Sequence, residues 1–211
     1  TAGSGKSTTL ASMVNYINET EEKHIISVED PIEFTFSDEK CVIDQREVGQ
    51  DTDSFLVALK HAVRQSPDVI FIGEMHDLET MEAAVNAAET GHLVFSTLHS
   101  LNAMQTVDRI MNMFPVHQHE FLRLQLGQLL EGVVSQRLLP TKDGTARMPC
   151  IEMMCATPTT RELILHGKTR ELYKALKEGG YYGCMTFNQS LKSLLERDLI
   201  PAMDPHGGHS L

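Results

Sequence analysis

Short apolar runs alternate with stretches of helical period through most of the chain. Val69-Ile70-Phe71-Ile72 and Leu93-Val94-Phe95 show no polar alternation. That is the pattern of strands buried on both faces of a parallel sheet. His24 to Val28 is another β-rich run, and Cys41 to Ile43 a short further one. Between them, Leu10, Val14 and Ile17 mark a helix over 7–18, and Phe55, Leu56, Leu59, Ala62 and Val63 mark a second that Ser66-Pro67 ends. Asp77 caps a third helix, which buries Leu78, Met81, Val85 and Ala88 and stops at Gly91. Helices from about Asn102 and about His117 follow. Val133 to Leu139 and Met148 to Met154 read as strands joined through Lys142-Asp143-Gly144. From Pro158 the pattern is helical, broken at Gly179-Gly180 and restarted at Thr186 with Gln189 as its capping partner. The expectation is an α/β core over residues 1–156 with a mostly parallel sheet flanked by helices. A helical subdomain over 157–200 and a flexible tail over 201–211 complete it.

Ligands on such sheets sit at the carboxyl ends of the strands. The polar clusters fall there: Gly3 to Thr9, Glu29 to Glu33, Gly73-Glu74 and Ser96 to His99. Gly5-Lys6-Ser7 ends the phosphate-loop pattern G-x-x-x-x-G-K-[ST]. Gly3, Ser4 and Gly5 let backbone amides approach phosphate oxygens, and Thr8 continues into the helix. In this reading Lys6 reaches the β- and γ-phosphates of ATP and Ser7 holds Mg²⁺. The pattern's first glycine would precede Thr1, so the chain reads as a fragment that starts inside the motif. Such a fragment would lack part of the phosphate cradle and a sheet strand, and is not expected to hydrolyse ATP alone.

Glu74 closes a buried strand, which suits a second Mg²⁺ contact, direct or through water. Glu29, Asp30 and Glu33 form a carboxylate cluster able to orient and deprotonate a water. Spacing alone leaves open that they are a negative turn which Pro31 keeps out of a helix. His92 and His99 flank one strand, which is no metal-ligand spacing. His99, at the carboxyl end, can hydrogen-bond a γ-phosphate.

Charge and cysteine usage narrow the partners. The 211 residues carry a net charge of −11 with a pI near 5.3, which argues against binding nucleic acid or an anionic membrane nonspecifically. No apolar run approaches the roughly 20 residues of a membrane span. Cys41, Cys150, Cys155 and Cys184 show no C-x-x-C pair and read as free thiols of a reducing compartment.

The successive boxes GSGKSTT, ISVEDPIEF, DQREVGQDT, DVIFIGEMHDLET, AETGHLVFSTLHS and VVSQRLLP closely resemble those of the type IV pilus retraction ATPases, the PilT/PilU group of secretion ATPases. The resemblance implies a RecA-like Mg-dependent ATPase powering pilus retraction and twitching motility as a homo-hexamer, alone or with a paralogue. It implies a place at the cytoplasmic face of the inner membrane, against a platform protein, and an N-terminal PAS-like domain that supplies arginines to a neighbour's nucleotide. It assigns Glu33 as general base with Glu29 and Asp30 supporting it, Glu74 as the atypical Walker B glutamate, and His92 and His99 as the His box. Arg46 belongs to a segment without a firm role.

Extension ATPases of these systems usually carry a tetracysteine motif after QRL. Here Gln136-Arg137-Leu138 is followed by Leu139-Pro140-Thr141. His76 stands where the family usually has arginine, Thr1-Ala2 replaces Pro-Thr, and the AIRNLIRE-like signature is reduced to Pro158–Leu165. These departures lean toward an accessory PilU-type subunit of low turnover. An extension or DNA-transfer ATPase is the other alternative.

Overall fold

The computed structural model describes residues 3–201, so Thr1-Ala2 and all of the expected tail except Pro201 lie outside it. Among the described residues, β1 (His24–Glu29), β2 (Val42–Glu47), β3 (Val69–Ile72) and β4 (Leu93–Ser96) form one sheet. All its pairings are parallel, in the order β2-β1-β3-β4. The central strands are apolar because both of their faces are covered. On β3, Val69 and Phe71 pack with Ile25 and with Leu10 and Val14 of α1 (Lys6–Thr20). Ile70 and Ile72 point the other way. They meet Leu59 of α2 (Phe55–Ala62) and Met81, Ala84 and Ala87 of α3 (Leu78–Glu89). Each fully buried Leu, Ile or Val contributes about 1.5–3 kcal/mol relative to an exposed one.

The second half wraps the α2–α3 side. It comprises α4 (Ala103–Met113), α5 (His119–Leu129), α6 (Pro158–Leu165), α7 (Leu172–Glu178) and α8 (Phe187–Glu196), with the antiparallel hairpin of β5 (Gly132–Pro140) and β6 (Arg147–Cys155). Val107, Ile110, Leu122, Leu126, Ile164, Leu172 and Leu176 belong to the same buried cluster as Ile70 and Ile72. The α8 helix lies apart on β6, where Leu194 packs with Cys150 and Ile200.

Caps set the helix starts as expected. Asp77 Oδ1 accepts from Thr80 N at 2.7 Å and Asn102 Oδ1 from Gln105 N at 2.8 Å. Thr186 and Gln189 form a capping box. Three elements differ from the sequence pattern. On α3, Met81 is buried and Leu78 packs partly buried against the same cluster as expected, but Thr80, Ala84 and Ala87 are buried in place of Val85 and Ala88, since small alanines let the helix approach its neighbours. The α2 helix passes into a 3₁₀ turn at Val63, before Ser66 turns left-handed at φ 53°. The β2 strand runs on through Gln45, Arg46 and Glu47, polar residues on a sheet edge. All four cysteines are free thiols. Burial raises the Cys150 thiol above its ordinary pKa, and burial together with Cys184 raises that of Cys155. Neither therefore has the thiolate character of a reactive cysteine.

Candidate active site

The phosphate loop has the backbone its glycines were expected to provide. Gly3 and Gly5 adopt φ of 69° and 87°, in the left-handed region. Gly5 is the N-cap of α1, and no side-chain cap or acidic residue in the first turn offsets the helix dipole there. An anion is therefore favoured at this end of the helix. Lys6, Ser7 and Thr8 form that first turn, and Ser4 is buried just before it. The loop rests on β5. Thr9 Oγ1 donates to Gln136 Oε1 at 2.7 Å, and a Cβ on Gly5 would lie 2.6 Å from Gln136 Nε2. In the sequence Gln136 stands out only as part of the segment Gln136-Arg137-Leu138. Its role here as the floor of the phosphate loop had no periodic signal to announce it.

The carboxyl ends of β1, β3 and β4 meet at one edge. Gly73 N donates to Val28 O at 2.8 Å, and Thr97 Oγ1 donates to Gly73 O at 2.7 Å. Gly73 fits because a Cβ there would come within 3.3 Å of Glu29 Cα. Glu29 is buried, and its Oε1 accepts from Ser27 Oγ at 2.7 Å. Asp30 and Glu33 are exposed, on a stretch after β1 that has no helix or strand. That stretch is tied back at its start by Glu47, whose Oε2 accepts from Ile32 N at 3.0 Å. At its end Asn18, buried in the last turn of α1, donates to Ser37 O at 2.8 Å and accepts from Glu39 N at 3.1 Å. Asn18 thus connects the far end of the phosphate-loop helix to the segment that carries Glu33.

Glu74 lies between two imidazoles. His76 Nε2 is 2.9 Å from Oε2, and His99 Nε2 is 2.5 Å from Oε1. Oε1 is buried, and the His99 contact lacks hydrogen-bond alignment, so this oxygen keeps a lone pair without a well-directed donor. The His76 contact with Glu74 is an ion pair only when the imidazole carries a second proton. Arg109 Nη1 donates to His99 O at 2.9 Å and steadies that loop.

His92 is not part of this group. It precedes β4, with Nδ1 2.9 Å from Ala87 O at the end of α3. The four residues of β4 separate it from the carboxyl edge by about 13 Å at ~3.3 Å per residue. Arg46 also points elsewhere, donating to Gln65 Oε1 at 2.5 Å, because neighbours along a strand alternate faces. Among the described residues no three His, Cys, Asp or Glu groups are placed to hold a metal by themselves.

A glycine loop at the N-terminus of a helix that packs on a parallel sheet, with acidic residues at the sheet's carboxyl ends, defines a P-loop nucleotide-binding protein. The chain belongs to the type II/IV secretion system protein family, which it matches over residues 1–193. It is 50% identical over 198 residues to a twitching motility protein of Neisseria gonorrhoeae, covering 94% of this chain and 53% of that protein. It is 46% identical over 198 residues to the type IV pilus retraction ATPase PilT of Pseudomonas aeruginosa, covering 94% and 57%. It is 47% identical over 202 residues to PilU of the same organism, covering 96% and 53%. A crystal structure of the pilus retraction motor PilT with bound ADP superposes with a TM-score of 0.87 at 47% identity, covering 96% of this chain and 59% of that one. The Legionella pneumophila ATPase DotB follows at 0.84 and 28% identity, covering 95% and 55%. The chain thus spans a little over half the length of these relatives. No described helix is long and apolar enough to cross a membrane.

Proposed function

We propose that this chain is the nucleotide-hydrolysing part of a type IV pilus retraction motor. The observation that carries the hydrolytic reading is the gathering of Glu29, Gly73-Glu74 and Thr97–His99 at one sheet edge. The relatives named for twitching motility and pilus retraction support the motor reading.

Lys6 and the first-turn amides of α1 bind the β- and γ-phosphates of ATP and offset their charge. Ser7 and Glu74 are the residues that would hold Mg²⁺, Glu74 through its poorly satisfied Oε1. When bound, the metal would neutralise charge on the phosphates. Glu33 orients a water in line with the γ-phosphorus and takes its proton as the new P–O bond forms. The bond to the bridging oxygen breaks, and ADP carries the electron pair away. Buried Glu29 anchors the base segment, and His99 senses the γ-phosphate beside Glu74.

The finer reading extends the site to a homo-hexamer at the cytoplasmic face of the inner membrane, acting on a platform protein and shared with a paralogue. Deletion of the gene tests it. Retention of surface pili with loss of retraction is expected, whereas bald cells would point to an extension motor. A second reading, an accessory subunit of low turnover, is favoured by His76 and by the likeness to PilU. ATP turnover of the full-length protein, alone and mixed with its paralogue, separates the two.

A further inference from the structure

The segment that carries Glu33 has no regular structure, so its carboxylate is placed only as well as its backbone is tied. The ties close around Glu33 itself. Glu47 holds the amide of Ile32, the residue before it. Gln45 holds the carbonyl of Phe34, the residue after it, with Nε2 donating at 2.8 Å. The same Nε2 donates to Glu29 Oε1 at 3.2 Å, and Gln45 Oε1 accepts from Phe36 N at 2.9 Å. This amide has one consistent orientation, because two acceptors face one end and a donor faces the other. Register adds to the constraint. Gln45 pairs with Ser27 across β1 and β2, and Ser27 Oγ donates to the same oxygen of Glu29 at 2.7 Å. Glu29 is buried and held by strand β1, so Gln45 connects a fixed carboxylate to a segment without structure of its own.

We infer that Gln45 is a positioning residue for hydrolysis, setting where Glu33 stands relative to the γ-phosphate. The inference rests on the reading of Glu33 as general base. A leucine at 45 keeps the volume and loses all three hydrogen bonds. A glutamate keeps the shape, but it loses the donor and turns a second negative charge toward Glu29. Misplacing a catalytic group by about 1 Å costs on the order of 10²-fold in rate. Because the effect acts through Glu33 and not through the phosphate cradle, it falls on kcat and leaves KM for ATP in place.

The test uses the full-length protein with Gln45→Leu and Gln45→Glu, each alone and combined with Glu33→Gln, and thermal unfolding confirms that each variant is folded. Turnover is read in steady-state and single-turnover assays, and amide hydrogen exchange is followed over residues 32–37. Both single variants are expected to lose at least ~10-fold in kcat with KM within about twofold. Gln45→Glu should be the slower, and residues 32–37 should exchange faster. In the Glu33→Gln background the further loss should vanish, since the group being positioned is gone. An equal loss in both backgrounds overturns the inference, as does unchanged kcat or unchanged exchange in Gln45→Leu. Normal turnover by Glu33→Gln alone overturns the base assignment and the inference with it. That result is distinct from failure of the inference only, in which Glu33→Gln is slow and Gln45→Leu is not.

Discussion

In the proposed mechanism Glu33 and Glu74 divide the chemistry between two carboxylates in different settings, one exposed on an irregular segment and one held between His76 and His99. Glu33→Gln keeps size and polarity but cannot accept a proton. It should bind Mg-ATP nearly as well as the parent and hydrolyse it at least ~100-fold more slowly. If Glu74→Gln shows that split and Glu33→Gln does not, the two roles are exchanged. Gly5 is held by two separate constraints, its left-handed φ and the nearness of Gln136. Gly5→Ala should lower stability by about 1–2 kcal/mol from the backbone alone and weaken nucleotide binding. An unchanged melting temperature would show that the loop relaxes freely. At this scale motifs pointed to Glu29, Glu74 and His99, which do meet at the carboxyl edge, but also to His92 and Arg46, which do not. Gln45, Glu47, Asn18 and Gln136 went unread because their partners are backbone groups or side chains distant in the chain, and no spacing rule reports such bonds.

The turn between β5 and β6 depends on Asp143 and the α8 start on Thr186. Asp143 accepts from Thr141 Oγ1 at 2.6 Å and from Thr145 N and Oγ1 at 3.1 and 2.8 Å. These bonds, led by that from Thr141, lower its pKa from 3.8 to about 2. The folded turn therefore favours the carboxylate. Its stabilisation is complete above the unfolded pKa and is lost as pH falls from about 4 toward 2. Exchange of the Thr145 amide should accelerate over that range, and in Asp143→Asn the acid step should be absent. Thr186 is buried, and its Oγ1 accepts from Gln189 N at 3.3 Å. Thr186→Ala should cost about 1 kcal/mol in a denaturant titration, and a loss near zero would mean that packing alone fixes α8. Elements with a strong period or cap were legible, β3, α3 and α8 among them. The β2 strand was cut short in the reading because its edge position lets Gln45 and Glu47 be polar, and their side chains serve the neighbouring segment rather than a core.

At the scale of the whole molecule, the uninterrupted apolar runs foretold a sheet covered on both sides, and the acidic boxes foretold the edge where its loops meet. Topology supplied what they lacked. The parallel order β2-β1-β3-β4 brings Glu29 beside Gly73 and leaves His92 at the opposite end of β4 from His99. A linear motif that contains both histidines does not convey that separation. In the proposed function the loop before α1 binds the phosphates of ATP for hydrolysis, with Lys6 supplying the charge that meets them. Its most direct test is phosphate release from Mg-ATP by the full-length protein and by Lys6→Ala. Steady turnover is expected from the parent, and in the variant loss of turnover with weakened nucleotide binding. Equal phosphate release by the two proteins would contradict it.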